Sequence, residues 1–588
     1  RLIDTKGSLI DCNDPVVAAA KMIKEGKIVA VKGLGGFHLA VDAHNANAVF
    51  RLRQRKAREA KPLAVMTPNG ASARLWGDFN DIEIELLNSP ARPIVLARKT
   101  ERCRNAFIYV ADDLNEIGLM TAYTPVHLLL FHALAGLPSD PRWLDAASED
   151  ALVMTSANPS GEPLVIHTKE ACERLNGIAD AILTHDREIV CRCDDSVVRV
   201  VDGASRLVRR ARGYTPLAVK THCDMTGIAA TGASLKATAA LGRGQEVFVT
   251  AHIGDTKNVA SCNALKDALL HFEDILETHP TQAVACDLHP DFYASRLARE
   301  IAAERKIALF EVQHHHAHTM AVAFEYGLEG DVYGLSLDGV GLGTDGRAWG
   351  CEALFCRSNG TFERLGHLQN LPLPGGDAAA REPWRMAVAA ALTAECRRAA
   401  IALWPQRPVA AMLSLASNPR LTSTTSSAGR LFDAVSAIAG LCDEQSDEAQ
   451  AAMLLEAAGG DFADASYEED DFVVTQESGL NVLQVTALLQ RLFAMRLEGR
   501  TPQAISMRFH AAFSAGMAKL AAECFPAGAT VCLSGGTFLN RFVAADLSRR
   551  LRQMGYRTYL PSLLPPGDGA ISFGQCAVAR QRFDAATH

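Results

Sequence analysis

Apolar and polar positions along this 588-residue chain fall into two unlike parts. In the first, residues 15–27 and 45–56 carry apolar positions at helical spacing. Short apolar runs at 28–32, 63–67, 94–97 and 152–155, each bounded by turn residues, suit buried strands. This part reads as one α/β unit, ending just past the basic, Gly- and Pro-containing stretch 209–216, so the predicted domains are 1–222 and 223–588. From Gly227 onward the pattern changes to strand-turn segments rich in small residues. Strands are predicted at 228–231, 283–286, 307–312, 333–337 and 530–533, several ending in a Gly-rich or Asp-bearing turn. The Ala- and Leu-rich stretches 380–456 and 480–524 read as helical, and the acidic stretch 460–476 reads as a surface loop.

Composition narrows the function classes. The net charge is −8, and residues 1–220 hold 29 basic and 27 acidic side chains, so the acidity lies in the C-terminal part. That balance argues against extended nucleic-acid binding, which needs clustered Lys and Arg. The 15 cysteines are scattered singly without a Cys-x2-Cys pair, as expected of reduced thiols in a cytoplasmic protein. No apolar run reaches the roughly 18 residues that would span a membrane, and no signal peptide is legible. The chain starts at Arg1 rather than at Met.

Two features of the first part carry chemistry. The basic run from Arg51 to Lys61 crosses from a helix into an extended segment, where Lys56, Arg58 and Lys61 can converge on one anion. The turn Met154-Thr155-Ser156-Ala157-Asn158-Pro159-Ser160-Gly161 offers hydroxyl and amide donors at a strand end. In the second part, His314 and His318 are spaced to share one helix face and bind one metal. Asp338, in a Gly-rich turn, and Asp568, in Pro565-Pro566-Gly567-Asp568-Gly569, are candidate completing ligands. Two imidazoles and two carboxylates suit Zn, Fe or Mn. Gly341 and Gly343 allow close backbone approach to phosphates, and Gly535 and Gly536 sit in a strand, glycine-pair, helix-start pattern.

Lys-x-Arg-x-x-Lys-Pro-Leu followed about 90 residues later by Thr-Ser-Ala-Asn-x-Ser-Gly resembles the YrdC family, as do Gly35-Gly36-Phe37-His38 and Cys193-Asp194-Asp195-Ser196. The resemblance implies a twisted open α/β sheet that forms an acyl-adenylate from ATP, with Mg2+. It implies that Lys56, Arg58 and Lys61 hold the triphosphate or acyl phosphate, and that Ser156, Asn158 and Ser196 hold the nucleotide or acyl group. The second part resembles TsaD-type carbamoyl-transfer domains, of the actin/Hsp70-like (duplicated RNase H-like) α/β superfamily. There the His-x3-His pair and a late Asp bind a metal, here expected to be Zn or Fe. Asp433, in Ala428-Gly429-Arg430-Leu431-Phe432-Asp433, and Asn540 match positions that hold the substrate nucleotide.

The two in this order resemble the HypF family of [NiFe]-hydrogenase maturation. Stretches such as His252-Ile253-Gly254-Asp255, Asp287-Leu288-His289-Pro290-Asp291 and Leu564-Pro565-Pro566-Gly567-Asp568 add to the likeness. Full-length members also carry an acylphosphatase domain and a Cys-rich zinc-finger segment, so the chain is expected to be the C-terminal two-thirds of such an enzyme. It is expected to use carbamoyl phosphate poorly by itself while retaining adenylation and transfer. The implied partners are carbamoyl phosphate or carbamate, ATP, and a HypE-like protein whose C-terminal Cys accepts the carbamoyl group. The adenylate is labile in water, so both sites are expected to face one enclosed cavity. The alternative reading is an O-carbamoyltransferase acting on a small-molecule hydroxyl, disfavoured because those enzymes place the TsaD-like domain first. A tRNA-modifying enzyme and an inactive nucleotide-binding scaffold are weaker rivals.

Overall fold

A computed structural model describes residues 1–587. By its packing the chain forms two compact units. One comprises Arg1–Ala218, Ser234–Thr238 and Val249–Phe272; the other comprises Val219–Ala233, Ala239–Phe248 and the described residues from Glu273 onward.

The first unit is built on a mixed sheet. From one edge its strands are Leu2–Ile3, Ala181–Leu183, Val29–Lys32, Phe37–Asp42, Leu152–Ser156, Val65–Thr67, Glu116–Thr121, Ile94–Lys99, Val197–Val201 and Ala204–Arg209. The unbroken apolar runs have a simple cause: both faces are covered. Ala30, Leu39 and Val153 enter one buried cluster, and their neighbours Val29, Val31, Ala40 and Met154 enter another. Helix Ala46–Lys56 starts on Asn45, whose side chain accepts from Ala48 N at 3.0 Å. Its buried residues are Ala48, Val49, Leu52 and Lys56, so the helical period itself carries Lys56 inward.

The second unit contains two sheets. The smaller orders its strands Val219–Lys220, Glu246–Val249, Ala240–Arg243, Ile228–Ala230, Ala283–Asp287 and Ala308–Val312. The larger runs Val473–Glu477, Leu480–Gln484, Phe362–Leu368, Ala348–Cys356, Val332–Leu342, Thr530–Ser534 and Arg557–Tyr559, with Leu371–Leu373 and Ser423–Thr425 beside it. Three sequence expectations need correction, one being residues 423–425, which are strand rather than helix. Residues 473–477 are strand rather than loop, and 480–484 are strand rather than helix. Ser478 and Gly479, at φ 51° and 85°, make the tight turn that closes this hairpin on the sheet edge. Helix Thr486–Leu497 begins only afterwards.

Helix His314–Glu325 crosses helix Ile571–Thr587 at Gly574, where a Cβ would collide with Ala317 O and lie 3.1 Å from Ala321 N. Gly574→Val is therefore expected to destabilise this unit by about 3 kcal/mol, the scale of a forced overpacking. Thermal unfolding checks this, and an unchanged melting temperature would show that the helices part freely.

Candidate functional site

In the first unit, the chain leaves helix Ala46–Lys56 through Ala57 at φ 48°. The loop that follows is held by Arg53. Its Nη1 donates to the carbonyls of Arg58, Glu59 and Lys61, each at 3.1 Å, and its Nη2 donates to Val110 O at 3.0 Å. Sequence reasoning missed Arg53, which looked like one more charge in a basic run. Lys56 Nζ reaches the 156–158 turn, donating to Asn158 Oδ1 at 3.0 Å, to Ser156 Oγ at 3.3 Å and to Ser156 O. Burial, and after it the Arg58 charge, bring the Lys56 amine down to about 7. Arg58 Nη1 donates to Thr155 Oγ1 at 3.3 Å. Ser156 Oγ donates to Asn158 Oδ1 at 2.8 Å. The two motifs, about 100 residues apart in sequence, thus meet.

Ser196 sits differently. It is fully buried; its Oγ donates to Arg212 O at 2.9 Å and accepts from Ala211 N at 2.8 Å. Its hydroxyl ties the segment just before strand Val197–Val201 to the segment just after strand Ala204–Arg209. Beside it, Asp195 takes His38 Nε2 at 3.0 Å and Arg212 Nε at 2.9 Å, a buried network among residues that sequence reasoning left unassigned.

In the second unit, four side chains converge. His314 and His318 stand on one face of helix His314–Glu325, which starts on Gln313, whose side chain accepts from His316 N at 2.9 Å. Asp338 lies in strand Val332–Leu342, where the pairing register shifts between Leu337 and Gly341. Asp568 opens a short turn before helix Ile571–Thr587. His314 Nε2 lies 3.5 Å from Asp338 Oδ2 and 3.6 Å from Asp568 Oδ1; His318 Nε2 lies 3.8 Å and 3.6 Å from the same two oxygens. All four ligand atoms fall within 4.8 Å of one another.

These distances exceed hydrogen bonds. Both Nε2 atoms are buried without a hydrogen-bond partner. Orphaned imidazole nitrogens between two buried carboxylates leave room for a positive charge among them, and a four-ligand N2O2 set fits a metal such as Zn, Fe or Mn. Burial opposes protonation of His314, but the Asp287 carboxylate overrides it and raises the imidazole well above its ordinary range. Burial and Asp338 push against ionisation of Asp568, yet the two histidines hold it down at about 2.

Asp287 was not picked out as a site residue. It ends strand Ala283–Asp287 and meets His314 Nδ1 at 2.7 Å, fixing the ring so that Nε2 faces the cluster. The signal was present: an apolar strand ending in Asp, in register with Val312 just before the histidine run. Asp287→Asn is expected to lower metal affinity about 10–100-fold. Metal content after dialysis against a weak chelator checks this, and full retention would refute the orienting role.

The glycines have packing reasons. A Cβ on Gly341 would lie 2.7 Å from His314 Cβ, and one on Gly343 would collide with Trp349 Nε1. Gly535, at φ 96°, packs on Leu337 O, and Gly536 N donates to Asp338 Oδ1 at 2.8 Å. Asp433 is buried and paired with Arg430 Nε at 2.7 Å; burial raises its carboxyl. Asn540 caps helix Arg541–Gln553 through Val543 N at 3.1 Å, and its Nδ2 lies 2.9 Å from His510 Nε2. None of the fifteen cysteines is in a disulfide. Among the described residues no helix is long and apolar enough to cross a membrane.

Three family models match. Residues 21–211 match the Sua5/YciO/YrdC model described as telomere recombination; 224–325 match the HypF Kae1-like domain; and 334–575 match the second subdomain of the carbamoyltransferase Kae1-like domain. Fold and matches define the class: an enzyme that joins a YrdC-like domain to a Kae1-like domain for carbamoyl transfer. Carbamoyltransferase HypF2 of Cupriavidus necator is 45% identical over 99% of this chain and 75% of its own length. Carbamoyltransferase HypF of Rhizobium leguminosarum bv. viciae is 42% identical over 96% and 72%. The chain belongs to the HypF family of carbamoyltransferases. Similar solved structures are full-length HypF in the phosphate- and nucleotide-bound form (TM-score 0.88, 34% identity, 98% of this chain and 73% of that one) and T. kodakarensis HypF (TM-score 0.87, 32% identity, 99% and 76%).

Proposed function

We propose that the enzyme adenylates carbamate with ATP in a domain spanning 1–222, and passes the carbamoyl group in a domain spanning 223–588 to the C-terminal Cys of a HypE-like protein. That thiocarbamate would serve cyanide-ligand synthesis for [NiFe]-hydrogenase. The observation that carries the reading is the meeting of Lys56 with Ser156 and Asn158 in one unit, together with the His314, His318, Asp338 and Asp568 cluster in the other. Nucleotide use is further supported by the nucleotide-bound form of a 34%-identical relative.

In the first step a carbamate oxygen attacks the α-phosphorus of ATP, the Pα–O–Pβ bond breaks, and pyrophosphate leaves, with Mg2+ accompanying the nucleotide. Lys56, Arg58 and Lys61 offer fixed positive charge to the phosphates, which costs no reorganisation as charge builds. Ser156 and Asn158 aim Lys56 and border the nucleotide. In the second step the acceptor thiolate attacks the carbamoyl carbon, a C–S bond forms, and AMP departs with its phosphate oxygen. A Zn or Fe ion held by His314, His318, Asp338 and Asp568 would, when bound, neutralise charge on that phosphate. The same reading assigns Gly341, Gly343, Gly535, Gly536, Asp433 and Asn540 to binding the nucleotide. A thiol is partly ionised near neutral pH, so no general base is required.

The test is mass spectrometry of a HypE-like partner after incubation with ATP, carbamoyl phosphate and full-length enzyme. A mass gain of about 43 Da on the terminal Cys is expected, the difference for CONH2 in place of H. An unmodified partner, with ATP turned over, would overturn the reading.

A further inference from the structure

The stretch His252-Ile253-Gly254-Asp255 carries part of the family likeness, and Gly232-Ala233-Ser234-Leu235-Lys236 packs against it, yet neither step above uses them. By sequence both fall inside the match to the Kae1-like domain, 224–325. By packing, Ser234–Thr238 and Val249–Phe272 belong to the first unit. The two loops brace each other. Ala237 pairs with Gly254, with Ala237 N donating to Gly254 O at 2.9 Å and Ile253 N to Ala237 O at 3.0 Å; Thr256 N donates to Ser234 O at 2.9 Å.

The braced pair is then tied to the adenylation residues. Arg210 Nη1 donates to Val249 O at 3.1 Å, and His252 N donates to Arg210 O at 3.2 Å. Asn258 caps the start of helix Val259–Leu276 through Ser261 N at 2.9 Å, and its Nδ2 donates to Gly161 O at 2.6 Å. Gly161 ends the same turn that carries Ser156 and Asn158. Lys236 sits at φ 46°, a conformation that a lysine adopts only when its surroundings impose it, and its N–H is held by Asp255 Oδ1 at 3.2 Å.

The charges converge as well. After burial, the charges acting on the half-buried His252 are Arg209, Lys61 and Lys236, which together push its imidazole well below the ordinary range. Arg209 and Lys61 also act on Lys56. Lys61, Arg209 and Lys236 thus all act on His252, with Asp194, ion-paired to Arg209, as a carboxylate among them. Like charges drawn together repel, and an anion with charge spread along its length relieves that cost. Lys56, committed to the 156–158 turn, and Arg58, turned to Thr155, leave part of a triphosphate's charge for neighbouring cations to meet.

We infer that Lys236 and His252 complete, with Lys61 and Arg209, the site for the β- and γ-phosphates of ATP and hence for the leaving pyrophosphate. This rests on the proposal that the first unit adenylates carbamate. It makes the opening loops of the second sequence domain part of the first chemical step.

The test is ATP–pyrophosphate exchange in ammonium bicarbonate, which supplies carbamate, using the whole chain. Lys236→Asn suits the positive φ, because Asn tolerates that conformation. It is expected to raise the KM for pyrophosphate at least about tenfold, with kcat within about threefold, while Lys236→Arg recovers most of the loss. His252→Asn is expected to raise the same KM by a smaller factor. A KM within about twofold of wild type for both Lys236→Asn and the Lys236→Asn/His252→Asn double variant overturns the inference. If Lys236→Asn fails to fold by thermal melting, His252→Asn alone decides it by the same criterion, with Lys236→Arg as the charge-conserving control. No exchange in the wild type would instead sink the adenylation reading. Calorimetric titration of inorganic pyrophosphate then judges the anion site alone: weaker binding in Lys236→Asn supports it, and equal binding ends it.

Discussion

His318→Ala is expected to leave the chain without bound metal and to slow carbamoyl transfer by about 10²–10³-fold, the scale of losing preorganised charge at a leaving group. ATP–pyrophosphate exchange should persist, because His318 belongs to the second unit and Lys56 to the first. Among the described residues the cluster comprises these four groups, and each histidine Nε2 lies 3.5–3.8 Å from the same two carboxylate oxygens. Removing one ring leaves a three-ligand set around two buried, mutually repelling carboxylates, of which Asp568 already feels Asp338. Metal analysis by mass spectrometry and the thiocarbamate assay read the two halves of the prediction. A variant that keeps stoichiometric metal would refute the ligand set. One that loses metal but keeps full transfer would refute the metal's part in transfer.

Lys56→Met is expected to do the converse, lowering exchange by about 10²–10³-fold while metal content stays unchanged. It carries a pH signature. Lys56 titrates at about 7 in the folded chain against an ordinary value of 10.5. Between those values the unfolded chain binds more protons than the folded one, so folding becomes more favourable as pH rises. The cost of the buried amine is fully present below about 7 and fades toward 10.5. Replacing it should therefore stabilise the first unit by an amount of order several kcal/mol at low pH, and by less as pH rises. Melting curves across that window test this, and a pH-independent difference would refute it. A lysine that weakens the fold in order to meet an anion is a familiar compromise at functional sites.

Much of the site was legible because its chemistry is local. His314 and His318 are one helical turn apart, and a helix shows that spacing on one face whatever packs around it. Lys56 and the Thr155–Gly161 turn were legible as motifs because each needs only a short, fixed run of residue types. The residues that hold the site residues in place were harder. Arg53 and Asp287 act through backbone carbonyls and a ring nitrogen contributed by other segments, so their types alone carried no sign of the role. Ser196 shows another limit: its place beside Asp195 in a family motif suggested a ligand contact, while its bonds to Ala211 N and Arg212 O come from a segment that no local pattern brings there. The hairpin of Val473–Glu477 and Leu480–Gln484 was hidden because edge pairing, rather than intrinsic propensity, makes it strand.

By itself, the sequence determined the α/β class of both parts, the helical His-x3-His pair and the basic helix end, since these follow from periodicity and residue type over a few turns. Only the tertiary structure decided that Asp338 and Asp568, candidates from their turns alone, close around the histidines together. It alone decided, too, that the loops bearing Lys236 and His252 pack with the first unit rather than with the domain their sequence joins. The reason is physical: contacts between distant segments depend on how sheets and helices pack, and no local pattern encodes that.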